Sequence, residues 1–577
     1  MLFFVAFSSF AQQKYWVFLS DKDGVEFDPY TYFDQKAIDR RLKNNVPVYH
    51  ESDKPIRLDY YEQIAAVADT VAGHSRWFNA MACVLTDEQL SSIEAFPFVV
   101  KITPMVSQGY LTEEFRYGDL KNGEKLLLNE QTNWLGGKTF KENEITGKGV
   151  RVCVIDAGFP SVNYADEFEH LRGNIKGTWD FYKNKSDVYK YNNHGAAVLS
   201  CIGGRTEDGV DIGMAPNAEF LLARTELIFK EGLSEEEDWL MAVEWADKNG
   251  ADIINSSLGY TTSLYFKEDM NGETALISRA ANLAARKGIL VVNAAGNDGD
   301  GYWKHIAAPG DADSVLTVGG INPWTGIHTS FSSYGPTADM RMKPNVSAFG
   351  HVIAANGKGD LAETQGTSFA SPLMAGYAAC VMEMYPDLTV MEIHRKIEES
   401  GHLYPYYDYA HGYGIPNAAN LMQERGENDE VLTYEVVGDT IVVSITDSYF
   451  ELNDEVVINY HSRFLLDRAP RYLHIPDAFL SDDSSPRKAK PNYVYYHLEK
   501  NGVLSEYALV APRQEDVLRI SVSEFKGEKL RVWYKGAVLE VDVEERVEEQ
   551  RDEINEEEID RLEKRRTNNG EKEVENE

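Results

Sequence analysis

From Gly147 to about Met422 the chain repeats one pattern: an apolar run of strand length, a turn, then a helical stretch. VRVCVID, FLLARTEL, DIINSSLG and ILVVNAAG are the strands, and EEEDWLMAVEWADKNG is one of the helical connections. Runs this apolar have no water-facing side, and strands joined through helices pair in parallel. The segment therefore specifies an α/β domain whose parallel sheet is covered by helices on both faces. In such sheets the ligand crevice lies beyond the carboxyl ends of the strands, so candidate chemistry is expected at those ends.

A chain of 577 residues is too long for one core. On the amino side, residues 12–110 read as a small α+β unit: KYWVFLS as a strand, FDQKAIDRRLKNN as a helix, then RWFNAMACVL, TDEQLSSIEA and FVVKITPM as strand, helix and strand. The α/β domain is taken as 111–424. Beyond it, YEVVGDTIVVSI turns at Gly438-Asp439 and YVYYHLEKNGVLSEYALV at Asn501-Gly502, two-residue loops suited to antiparallel hairpins. Residues 425–543 are expected to form a β-sandwich-like domain, and 544–577 an acidic charged tail. The opening MLFFVAFSSFAQQ reads as an export signal over residues 1–11, short and without the usual basic start, so that the true start is expected upstream. No later run is apolar for long enough to cross a bilayer, and an extracytoplasmic location is expected: periplasm, cell surface or medium. A formal charge of −36 works against phosphate recognition, so nucleic acid is not an expected partner. Four scattered cysteines, three of them inside apolar stretches, make neither a disulfide framework nor a metal cluster.

Four segments carry possible chemistry. VRVCVIDAGF runs a strand into Asp156; NNHGAAVLSCIGG places His194 at the start of a helix of small residues. GTSFASPLMAG places Ser368 at a loop-to-helix junction, with Pro372 expected in the first turn, and ILVVNAAGN ends a strand on Asn297. Each alone reads as a cap or turn. Together, in the order Asp, His, Ser, with DAG, HGAAV, AAGN and GTSFASP around them, they resemble the subtilisin-like serine proteases (subtilases, peptidase S8 family). IGMAPNAEF, SSLG, APGDADSVLTVGG and SFSSYGP extend the likeness through the domain. Ala157, where Thr or Ser is more usual, and Phe369, where Met is common, depart from the pattern without touching a proton-transfer atom.

The resemblance implies a subtilisin-like three-layer domain and a serine endopeptidase acting on proteins or peptides. Ser368 would be the nucleophile, His194 the general base and acid, Asp156 its orienting partner, and Asn297 with the Ser368 N–H the oxyanion hole. It implies that Ser256, Ser257, Leu258 and Gly259 form an edge for the substrate backbone, with the side-chain pocket between them and Ala294, Ala295 and Gly296. It makes the N-terminal unit propeptide-like, an intramolecular inhibitor cut away between about Met105 and Arg116. No cofactor is required. Relatives often bind calcium, and Asp298, Asp300, Asp311 and Asp313 offer oxygens, but solvated turn carboxylates are the preferred reading and no metal is assigned. The competing readings are a catalytically silent scaffold of the same fold, and a lipase-like hydrolase, whose nucleophile would precede its acid and histidine.

Overall fold

The computed structural model describes residues 13–105, 115–117, 122–226, 235–261, 265–355, 360–422, 431–446, 457–460, 493–510 and 516–543. The expected signal and the acidic tail lie outside these residues. By packing, the chain forms two units, Met1–Tyr404 with Tyr409–Gln423, and Pro405–Asp408 with Glu424–Glu577.

The first unit begins with β1 (Gln13–Leu19), α1 (Pro29–Tyr32), α2 (Gln35–Lys43), α3 (Leu58–Ala65), β2 (Thr70–Ser75), β3 (Ala80–Leu85), α4 (Asp87–Glu94) and β4 (Val99–Pro104). The strands make an antiparallel sheet in the order β2-β3-β1-β4. Side chains alternate across a strand, and here both faces are buried. Tyr15, Val17, Leu19, Met81 and Cys83 pack under Ile64 and Ile93, while Trp16, Ala80 and Ala82 share a cluster with Trp239, Leu240 and Ile277 of the following domain. That second apolar face is why KYWVFLS carries almost no polar alternation. β2 was not among the expected strands; TVAGHS is too polar and Gly-containing to signal one, and its pairing with β3 decides it.

The α/β domain follows: β5 (Phe115–Tyr117), α5 (Asn122–Asn133), α6 (Gly137–Glu142), β6 (Arg151–Asp156), β7 (Ile175–Asp180), α7 (His194–Gly203), β8 (Glu219–Arg224), α8 (Glu235–Lys248), β9 (Ile253–Ser256), α9 (Leu276–Arg286), β10 (Leu290–Ala294), β11 (Leu316–Ile321), β12 (Val346–Phe349), β13 (His351–Ala355), β14 (Leu361–Gln365), α10 (Thr367–Met384), α11 (Val390–Glu399) and α12 (Ala418–Met422). Seven strands form a parallel sheet in the order β12-β11-β10-β9-β6-β8-β7. Val152 and Val154 of β6 face the cluster that holds α7 and α10; Cys153 and Ile155 face the one that holds α8 and α9. This is the expected three-layer arrangement. α10 is buried from Thr367 to Met382, which explains why it is apolar all round. It crosses α7 so closely that a Cβ on Gly376 would lie 2.7 Å from the Ile202 carbonyl. All four cysteines are buried and free.

The second unit holds β15 (Leu432–Val437), β16 (Thr440–Ile445), β17 (Val457–Tyr460), β18 (Val494–Lys500), β19 (Val503–Val510), β20 (Asp516–Ser521), β21 (Lys529–Tyr534) and β22 (Ala537–Asp542). They form two antiparallel sheets, β15-β16-β20 and β17-β19-β18-β21-β22, which share one core through Ile441, Val443, Leu518, Leu498 and Val532. Both two-residue turns fall where the sequence places them, pairing Val437 with Thr440 and Lys500 with Val503. Pro405–Asp408 packs with this unit: the Tyr406 hydroxyl donates to the Tyr496 carbonyl at 3.3 Å, and its ring stacks on His497.

Candidate active site

Asp156 ends β6 at the carboxyl edge of the sheet, buried, with its Oδ1 accepting the Ala157 N–H at 2.7 Å. His194 is the first residue of α7. Its N–H donates to Asn192 Oδ1 at 2.6 Å, and its Nδ1 donates to Asp156 Oδ1 at 2.7 Å. The approach of α7 to the end of β6 requires glycine next to His194, because a Cβ on Gly195 would lie 2.4 Å from the Gly158 carbonyl and 3.0 Å from Asp156. Arg224, not singled out in the sequence, holds the loop around this pair. Its Nε donates to the Ala157 carbonyl at 3.0 Å, its Nη1 pairs with Asp180 at 2.9 Å, and its guanidinium lies 3.7 Å from the centre of the Tyr191 ring.

Ser368 is the second residue of α10, and its neighbour Phe369 places its ring edge-on to His194 at 5.6 Å. The sequence places Pro372 in the first turn of that helix; it is instead the sixth residue, because the helix already starts at Thr367. Proline there removes the N–H that would bond the carbonyl four residues back, that of Ser368. The Ser257 hydroxyl supplies the missing donor at 2.9 Å, and the Ser368 hydroxyl in turn donates to the Ser257 carbonyl at 3.3 Å. The nucleophile candidate is thus pinned to the end of β9 from both sides of its own residue.

Asn297 stands just past β10. Its Oδ1 accepts the Thr367 N–H and the Thr367 hydroxyl, both at 2.8 Å, which commits the oxygen and turns the amide nitrogen the other way. Gly366, with a φ of 143°, leaves room there: a Cβ on it would lie 3.5 Å from Asn297 Nδ2 and 3.7 Å from the Ser368 nitrogen. Two donors therefore flank one small gap beside the Ser368 backbone. The N–H groups of the first helical turn have no partners within their helix, which suits them to an incoming anion.

The other expected site residues divide. Ser256 is paired within the sheet on both sides, to Ile155 and Asn293, and its hydroxyl accepts from the Trp239 indole at 3.0 Å. It serves the sheet; strand pairing stops there and the edge runs on through Ser257, Leu258 and Gly259. Ala294 and Ala295 are buried and Gly296 half-buried. Between the two segments sits Ala307, which sequence reasoning missed: its Cβ is 2.9 Å from where a Gly259 side chain would start and 3.5 Å from the same point on Gly296. Only the small size of all three could have signalled it. Met105, the last described residue of the N-terminal unit, lies in the same apolar cluster as Leu258, Tyr260 and Ala308. The four aspartates do not meet. Asp311 is buried on Ser278 and the Gly272 N–H, Asp313 is largely exposed beside Arg341, and burial, with Asp300 adding, raises the Asp298 carboxyl. Among the described residues no three His, Cys, Asp or Glu side chains are placed to hold a metal ion.

Against known proteins, the description of the subtilase family matches residues 147–414, and that of the peptidase S8 propeptide domain of Bacteroidota matches 14–114. The serine protease AprX of Bacillus subtilis is 30% identical over 356 residues, spanning 56% of this chain and 77% of AprX. The chain belongs to the subtilase family. Subtilisin DY of Bacillus licheniformis is also 30% identical, over 255 residues that make up 44% of this subtilase and 84% of the relative. Among solved structures, the epidermin leader peptide processing serine protease of Staphylococcus aureus superposes with a TM-score of 0.53 over 71% of this chain and 99% of its own, a likeness of fold at 15% identity. This subtilase is a serine endopeptidase preceded by a propeptide domain.

Proposed function

We propose that Asp156, His194 and Ser368 are the catalytic triad and that Asn297 and the Ser368 N–H form the oxyanion hole. The observation that carries this is the buried 2.7 Å bond between Asp156 and His194, side chains from distant segments, with the imidazole set against the neighbour of Ser368. His194 accepts the Ser368 proton as the oxygen attacks the scissile carbonyl, and Asp156 holds the tautomer and the imidazolium that forms. The tetrahedral oxyanion occupies the gap left by Gly366, where its charge meets donors that need no reorganisation. His194 then protonates the departing amine, and the acyl-enzyme is hydrolysed by a water deprotonated by the same imidazole.

The substrate backbone adds as a strand along Ser257, Leu258 and Gly259, and its side chain enters between that edge and Ala294, Ala295 and Gly296. The propeptide inhibits in the same place. Met105 belongs to the apolar cluster that also holds Leu258, and β5, which begins at Phe115, pairs with β14, the strand that leads into Gly366 and Ser368. A cut by Ser368 between about Met105 and Arg116 separates the two. The opening apolar run supports export, and among the described residues no helix is long and apolar enough to cross a membrane. The test is a phosphonate or sulfonyl fluoride probe with the adduct mapped: labelling at Ser368 supports the assignment, and labelling elsewhere, or none on folded protein, ends it.

A further inference from the structure

Between β1 and α3 the N-terminal unit carries an arm, residues 20–57, that reaches the amino ends of β6, β9 and β10. This is the edge of the parallel sheet opposite the triad, removed from it by the length of a strand, roughly 20 Å. Lys36 donates to the Gly149 carbonyl at 2.7 Å and pairs with Asp252 at 2.8 Å. Arg40 donates to the Ala251 carbonyl at 2.6 Å and to the Lys287 carbonyl at 3.2 Å. Both carbonyls belong to the turns that leave α8 and α9, where the helix dipoles present negative ends to the two adjacent arginines. The glycines ending those helices lie flush against the arm: a Cβ on Gly250 would be 2.9 Å from Lys36 Cβ, and one on Gly288 would be 2.7 Å from Asn44 Nδ2. Asn44 Oδ1 also accepts the Val390 N–H at the start of α11 at 2.6 Å.

At the centre is a buried chain of alternating charges. Asp247 takes Arg40 and, at 2.6 Å, Arg41; Arg41 continues to Asp53 at 2.8 Å; and Asp53 takes Lys287 at 2.6 Å. Arg40, Arg41 and Asp53 come from the arm, Asp247 and Lys287 from the catalytic body. Every one of the five is at most 3% exposed, so each side supplies the counter-charges that the other buries. A group left behind in such a network is a buried charge without a partner, which is costly.

We infer that Asp247, Lys287 and the Ala251 and Lys287 carbonyls form a binding site, remote from the active centre, for the two-arginine arm of the propeptide, and that this latch sets how fast a cut propeptide leaves the enzyme. The inference goes beyond the catalytic assignment and does not depend on it.

The test uses the full chain with Ser368→Ala and the recognition sequence of an unrelated, sequence-specific protease placed within residues 106–114. After complete cutting, release of the propeptide is followed by size-exclusion chromatography and native mass spectrometry on dilution. The intact arm is expected to co-elute with the catalytic body, and Arg41→Met and Asp247→Asn are each expected to speed release on the order of a hundredfold. Asp247→Asn leaves the arm unaltered, and Lys36→Ala, at the rim, provides a milder acceleration should either buried variant fail to fold. A cut propeptide that elutes separately at once, or one whose release is unchanged in these variants, overturns the latch. Labelling of Ser368 by the probe above is unaffected by either result, so the two readings fail separately.

Discussion

Removing the Asn297 amide gives the sharpest check on the site. In Asn297→Ala two things are lost: the Nδ2 donor beside the Gly366 gap, and the Oδ1 that accepts both the N–H and the hydroxyl of Thr367. On the proposed assignment the first is a transition-state interaction, and loss of one such donor costs about 2.7–4 kcal/mol, a fall in kcat of roughly 10²–10³. The second leaves the buried Thr367 groups short of an acceptor and lowers stability by about 1–3 kcal/mol. Thr367→Val separates them, because it deletes the hydroxyl's bonds to Asn297 Oδ1 and from the Gly296 N–H while the Thr367 backbone N–H still holds Oδ1. A single neutral hydrogen bond is worth about 1 kcal/mol, so kcat should fall by no more than about fivefold. The assay is turnover of a chromogenic peptide, normalised to active sites by phosphonate titration and paired with thermal unfolding of each variant. If Asn297→Ala keeps kcat within about threefold of the parent, or if Thr367→Val costs as much as Asn297→Ala, the donor geometry has been misread.

Three further outcomes are expected. Ser368→Ala should accumulate the uncut precursor, seen by mass spectrometry; a processed Ser368→Ala chain refutes self-cleavage. Ser257→Ala should lower stability to denaturant by about 1–3 kcal/mol, because Pro372 cannot bond the Ser368 carbonyl that Ser257 serves, and Pro372→Ala added to it should recover part of the loss by restoring a helical N–H. In the C-terminal unit, burial and then Arg531 push the His497 imidazole down from 6.5 to about 3, with its Nδ1 donating to the Tyr407 carbonyl. Because the folded value lies below the ordinary one, the contribution of His497 is complete above pH 6.5 and is lost as the pH falls towards 3, by several kcal/mol in order of magnitude. His497→Gln should flatten that acid limb in a pH series of unfolding midpoints, and an unchanged limb refutes the assignment.

Features that depend on neighbours along the chain were legible before any folding. Apolar runs marked β6, β8, β9 and β10, Gly438-Asp439 and Asn501-Gly502 marked the hairpins, and Asp156, His194, Asn297 and Ser368 stood out because each sits where a strand or helix begins or ends, a position that local pattern reveals. Pairings between segments far apart in the chain, where no local rule applies, emerged only from the fold. Ser257 replaces the hydrogen bond that Pro372 removes, Ala307 closes the space between Gly259 and Gly296, and Arg40 and Arg41 of a surface-looking helix are buried on Asp247. In the chain, FDQKAIDRRLKNN reads as an ordinary charged helix, and its arginines gain their meaning only when the last turn of α8 brings a carboxylate, and the turns after α8 and α9 bring carbonyls, to meet them, because a charge is buried only where its partner is delivered to it.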